Sequence, residues 1–174
     1  MNGDGNGWAA GPDGMKMWGR YGAAGLMLLA EQDGAGSDAA PEVLMQHRAL
    51  WTNVGGTWAL PGGARGSHET PVEAAIREAS EECSLAPELV RVVHSEITAG
   101  PFAPDPVRPE LAGGWTYTTV IAHTHDGRRL RTFPNEESLE LRWVPLNQLE
   151  SLPLMPAFAA SLPRLREFVG GLRD

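Results

Sequence analysis

The spacing of hydrophobic and polar residues changes several times along the chain, and each change marks an element. Residues 21–30 are an apolar run with small side chains, read as a first strand, and the polar, glycine-containing stretch 31–41 breaks it. Residues 42–49 read as a second strand, making a hairpin with a long connection. A short strand over 57–60 follows Gly55-Gly56 and ends at Pro61-Gly62-Gly63. From 70 to 83 the period becomes helical. Val72, Ala75, Ile76, Ala79 and Cys83 fall at i, i+3, i+4, i+7 and i+11 and form one apolar stripe. Thr70 suits the N-cap, Pro71 the first helical position and Glu73 the third. Further strands are predicted over 89–98, 115–125, 128–133 and 139–145. Residues 100–114 hold four prolines and three glycines and read as a loop. A second helix over 155–169 has Phe158, Leu162, Leu165 and Val169 on one side, with a kink or a fresh start at Pro163. The succession predicts an α/β fold, a mixed β-sheet with helices packed on it. One domain over 18–174 is expected behind a flexible leader, 1–17, whose Gly-rich start has little to bury.

Composition narrows the function. With 42% hydrophobic residues in 174, the chain can form a core, and a wholly disordered protein is excluded. The 22 acidic against 14 basic residues give a net charge of −8, which repels nucleic acid and anionic lipid, so neither is expected as a partner. Cys83 is the only cysteine, which excludes an internal disulfide and a Cys-rich zinc site, and its place on the apolar stripe predicts a packed thiol. No apolar run approaches the roughly 20 residues of a membrane span, and the start lacks a secretion signal, so a soluble cytoplasmic protein is expected.

The polar side of the 70–83 helix is unusual. Glu78 and Glu82 stand at i and i+4, with Glu81 three residues after Glu78. Like charges at this spacing repel, and they lie toward the helix C-terminus, where the dipole disfavours them. A divalent cation such as Mg²⁺ or Mn²⁺ would explain the cluster, as would a solvated acidic face. The surroundings add fixed spacings. Gly63 stands six positions before Glu69, Glu69 stands eight before Arg77, and Arg77-Glu78-Ala79-Ser80-Glu81-Glu82-Cys83-Ser84-Leu85 follows. This pattern resembles the signature box of the Nudix hydrolases at Gly63, Glu69, Arg77, Glu78, Glu81, Glu82 and Leu85. The lead-in, Trp58 to Gly63, is similar too. Ser84 departs, standing where the family has a glycine that ends the helix in a left-handed conformation.

The resemblance implies an α/β/α sandwich and a Mg²⁺-dependent pyrophosphohydrolase, with Mn²⁺ able to substitute, that cleaves a diphosphate bond in a nucleoside diphosphate derivative. It implies Glu78, Glu81 and Glu82 as metal ligands, with Glu82 or Glu78 nearest the activated water, and the Gly63 carbonyl as a further ligand. Arg77 would hold Glu69 or a neighbouring carboxylate in a bidentate pair. Glu136 and Glu137 stand where several members take their general base, with Glu140 a weaker candidate. Arg48 and the Gly62 backbone are candidates for substrate phosphate. The leading substrate is a nucleoside triphosphate, either unmodified or oxidised as in 8-oxo-dGTP. The alternatives are ADP-ribose or a nucleotide sugar, and a non-catalytic nucleotide sensor. The protein would be a monomer or a homodimer. Trp51 and Trp115 could stack on a base or pack in apolar surroundings, the 100–114 loop suits a lid or specificity loop, and His123 and His125 share a strand face without a third ligand.

Overall fold

The computed structural model describes residues 3–173. Its strands are β1 (Trp8–Ala10), β2 (Lys16–Trp18), β3 (Ala23–Ala30), β4 (Glu42–Arg48), β5 (Trp58–Ala59), β6 (Gly62–Ala64), β7 (Val90–Phe102), β8 (Trp115–Thr124) and β9 (Ser138–Pro145), with helices α1 (Pro71–Cys83) and α2 (Pro156–Leu172). The main sheet runs β5-β4-β3-β8-β7, with β6 also on β3 and β9 also on β4. β3 pairs β8 in parallel and β4 antiparallel, so the sheet is mixed.

All eight residues of β3 are buried, because both faces of this central strand are covered. Leu26 and Leu28 point to one side and pack with Ala75, Ala79 and Cys83 of α1. Met27 and Leu29 point to the other and pack with Phe158, Leu162 and Leu165 of α2. The expected α/β/α sandwich follows from that alternation.

Three expectations are corrected. The flexible leader over residues 1–17 is one of them; residues 1–2 lie outside the described residues. Beyond them, β1 and β2 form an antiparallel hairpin, Trp8 opposite Trp18. Ala9 and Ala10 are completely buried, and Ala9 packs with Ala23 and Trp115. The ordered unit thus reaches back before residue 18. Two three-residue strands are too short to show a period, so only tertiary packing reveals them.

The segment 128–133 is not a strand. Its end and the next residues turn back on α1, where the amides of Phe133 and Asn135 donate to the Cys83 and Glu82 carbonyls at 3.0 and 3.2 Å. These amides satisfy carbonyls that the helix leaves without partners. Finally, α2 is one helix through Pro163, so no fresh helix starts there. Pro163 and Ala159 both face solvent, so the Ala159 carbonyl that loses its helical partner can bond water.

Candidate active site

The site grows from the turn before α1. Thr70 accepts from the Glu73 amide and Glu73 caps the Thr70 amide in return, which fixes where the helix starts. That places Arg77 one to two turns in, facing the loop after β6. Its guanidinium bonds both oxygens of Glu69, one of them at 3.0 Å, and donates to the Ala64 carbonyl at 3.0 Å and to Glu78 at 2.9 Å. Glu81 lies 3.5 Å away. Hydrogen bonds from Arg77 hold the Glu69 carboxyl below the usual carboxylate range. Glu69 also accepts from the Gly66 amide at 2.9 Å, so the fork of Arg77 ties loop to helix.

Glu82 is 2% exposed, and its Oε2 accepts from the Gly62 amide at 3.0 Å. Burial, then a hydrogen bond with the Glu137 side chain and the nearby charge of Glu78, push its pKa up to about 9. Glu78 is raised as well, first by burial, with Arg77 opposing. Gly62 is required here by backbone, and a side chain at Gly63 would displace the Glu78 carboxylate. A Cβ on Gly62 would lie 2.6 Å from the Gly25 Cα, and one on Gly63 would lie 2.7 Å from the Glu78 carboxyl carbon.

Glu78 and Glu137 are thus the charged neighbours of the buried Glu82, while Glu81 is half exposed beside Arg77. Among the described residues no three His, Cys, Asp or Glu side chains close on one point; Arg77 pairs with both Glu78 and Glu81 instead. The donor set still fits a hard divalent cation. It is all oxygen, and it includes the buried Glu82 carboxyl, which among the described residues makes no ion pair.

The loop carrying Glu137 is anchored at several points. The Ala49 amide donates to the Glu137 carbonyl at 2.9 Å, Asn135 accepts from the Glu137 amide at 2.9 Å, and Gln46 bonds Ser138 at 2.8 Å. Glu136 is exposed and offers its carbonyl to the Trp51 indole at 3.2 Å. Glu140 pairs with Arg142. Ser84 adopts the left-handed conformation, φ 58° and ψ 38°, that the box glycine would adopt. Cys83 is buried, and burial pushes its thiol upward.

Next to Gly62 and Gly63 lies a cavity of about 170 Å³. Arg48 reaches its rim, bonding the Asn53 carbonyl at 3.0 Å. Trp115, Tyr117 and Phe158 line it from two layers of the fold, and Met17 and Trp18 line it from β2. Trp115 is thus both packed and at the pocket, whereas Trp51 is 68% exposed and does not line it. Sequence reasoning missed Tyr117, Phe158 and the β2 pair as pocket residues. Trp115 and Tyr117 carried one and the same signal, aromatics on one face of an alternating strand. His123 and His125 line a different hollow that shares no residue with the first.

Known proteins agree with this geometry. The NUDIX domain family matches residues 20–165. A Mycobacterium tuberculosis protein named "Putative 8-oxo-dGTP diphosphatase 3" is 51% identical over 166 residues, covering 95% of this chain and 71% of that protein. A "Nucleoside triphosphate pyrophosphatase/Nudix hydrolase fusion protein" of Bifidobacterium longum is 39% identical over 92% of this chain and 30% of its own length. Among solved structures, the Nudix hydrolase RenU of M. smegmatis superposes with a TM-score of 0.82 at 48% identity, covering 96% of each chain. The spacing of the box, the sandwich that presents it and these matches have one meaning: the chain belongs to the Nudix hydrolase family, enzymes that act on phosphoric anhydride bonds.

Proposed function

We propose that the protein hydrolyses an oxidised purine nucleoside triphosphate of the 8-oxo-dGTP type, with Mg²⁺ as the divalent cation on which the family depends. The observation that carries this reading is the junction at Gly62-Gly63, where a carboxylate cluster and an apolar, aromatic pocket share one piece of backbone. A nucleotide has the same two-part chemistry, a polyanion joined to a flat base. The name of the M. tuberculosis relative favours 8-oxo-dGTP over ADP-ribose.

Glu78, Glu81 and Glu82 would hold the cation, with the Gly63 carbonyl beside them. When bound, the cation balances the charges of substrate and carboxylates and makes an attacking water more acidic. The rest falls to the protein. Arg77 keeps Glu69 and Glu78 in place so that the helix presents its carboxylates to the substrate rather than to solvent. The Gly62 amide fixes one oxygen of Glu82. Glu137, whose carboxylate neighbours that of Glu82, is placed to accept the proton of the attacking water, which makes it the general base in preference to the exposed Glu136. Arg48, at the pocket rim, suits a phosphate oxygen. The buried lone thiol and the nucleotide chemistry support a cytoplasmic setting.

The test is phosphate or pyrophosphate release with Mg²⁺ and with EDTA, over nucleoside triphosphates, 8-oxo-dGTP, ADP-ribose and dinucleoside polyphosphates. Magnesium-dependent release strongest from 8-oxo-dGTP is expected. Stronger release from ADP-ribose would replace the substrate class, and binding without release would indicate a sensor.

A further inference from the structure

The pocket beside the box has a wall that the box does not supply. Met17 and Trp18 line it from β2, opposite residues that come from the sheet and from α2. This wall is fastened from behind. The Trp115 indole, itself a pocket residue, donates to the Trp18 carbonyl at 3.1 Å. Trp8 packs edge-on against Trp18 with ring centroids 5.0 Å apart, and Met17 packs on the cluster of Ala9, Ala23 and Trp115.

The N-terminal segment that contains the hairpin is also tied to the box loop and to the 103–114 loop. On the charged side, Asp4 accepts from the Ser67 amide at 2.9 Å and from the Ser67 hydroxyl, two residues before Glu69. The hydrogen bonds from Ser67 hold the Asp4 carboxyl low. On the other side, the Ala10 amide donates to the Ala112 carbonyl at 2.8 Å, and Arg108 donates to the Gly14 carbonyl. Residues 103–114 and the box loop thus meet on one hairpin. Its open end, away from the turn over residues 11–15, carries an indole that remains 40% exposed and an adaptable thioether, surface well suited to a flat apolar partner.

We infer that the β1–β2 hairpin is a substrate-binding element, and that Met17 and Trp18 form the specificity-determining wall against which the nucleobase lies. This rests on the nucleotide reading above and adds the part of the site that distinguishes one base from another. The phosphate end is held by the box whatever the base, whereas the hairpin wall touches only the base end. A larger purine face gains more from it than a pyrimidine does.

The experiment is calorimetric titration of the full chain in Mg²⁺ with 8-oxo-dGMP, dCMP and deoxyribose 5-phosphate, with hydrolysis kinetics in parallel. Met17→Ala and Trp18→Ala are each expected to weaken 8-oxo-dGMP binding by roughly tenfold, the scale of losing one stacked or packed base contact. KM should rise with kcat within about twofold, because the wall lies away from the bond broken. Deoxyribose 5-phosphate should bind the variants and the parent equally. Met17→Leu and Trp18→Phe, which keep apolar bulk and fold, should restore affinity. The Trp115 bond goes to the Trp18 backbone, so truncating that side chain leaves it in place. A loss in only one alanine variant keeps the hairpin in the site and names the contact. Affinities and KM unchanged in both, or an equal loss for the base-free sugar phosphate, would overturn the inference. If the parent binds none of the three ligands and hydrolyses no nucleotide, the nucleotide reading itself falls.

Discussion

The two halves of the site are built in opposite ways. The charged half comes from one stretch of chain, from Gly62 to Glu82, with Glu137 added from a loop. Its geometry follows from helix period, because residues three and four apart on α1 share a face. The apolar half is assembled from β2, β8, α2 and the end of β5, elements that lie far apart in sequence. The charged half is also costly to build, with a carboxylate buried beside two others, whereas the apolar half stabilises the fold as any core does. The comparison separates chemistry from selectivity: one half is to be broken by changing charge, the other by changing shape.

The largest effect should come from Glu82→Gln. The amide keeps the bond from Gly62 but cannot serve as a charged ligand. Turnover should fall by about 10²–10³-fold, the scale of losing one preorganised charge contact. The fold should persist, with a melting temperature in EDTA equal to or above that of the parent. Near-normal turnover would sink the role of this carboxylate.

The same residue gives a pH signature. Its folded pKa, about 9, lies above the ordinary value of 4.5, so the folded state holds the proton longer. The metal-free protein should therefore lose stability as pH rises from about 4.5 toward about 9. Thermal melts in EDTA across that range should show the loss, and Glu82→Gln should lack this component. An identical slope in both proteins would assign it elsewhere.

Arg77→Lys sharpens the charged half further. A lysine keeps the charge but cannot make the fork to both oxygens of Glu69 while reaching Ala64 and Glu78. Activity should drop by roughly 10–100-fold, as for other groups that orient metal ligands. Equal activity in steady-state assays would show that the bidentate geometry is dispensable.

On the apolar side, deleting residues 1–14 removes β1 and the Asp4 tie but leaves Met17 and Trp18. The melting temperature should fall by about 5 °C, corresponding to on the order of 1–2 kcal/mol. KM should rise more than kcat changes. If neither moves, the hairpin behaves as the tail that composition alone predicts.

The smallest effect is expected at the helix end. Ser84→Gly relieves a left-handed backbone at φ 58° and should stabilise the protein by up to about 1 kcal/mol with activity unchanged. Chemical denaturation resolves a change of that size.

How much could be read beforehand differs between the halves for physical reasons. The α1 stripe, its cap and the spacing of Glu69, Arg77, Glu78 and Glu82 are local, and local periodicity predicts local structure. The family resemblance rested on those positions. Strand β3 was visible as an apolar run, although its burial on both faces needed both helices. The segment 128–133 carries a strand-like pattern because a strand and a capping segment look alike in sequence. What decides between them is where the amides go, here to the Cys83 and Glu82 carbonyls. The hairpin over Trp8 to Trp18 carries a tail-like pattern for a related reason: alanines and glycines signal flexibility unless a partner surface covers them.

By itself, the sequence determined the α/β class, the acidic character and the carboxylate helix with its arginine, because each depends on composition or on neighbours within a few residues. Tertiary structure alone decided that Glu82 is buried against Gly62, that Glu137 and not Glu136 joins it, and that Met17 and Trp18 reach the pocket. Those outcomes depend on contacts between residues tens of positions apart. Burial, which sets both the pKa of a carboxylate and the shape of a pocket, exists only once such contacts have formed.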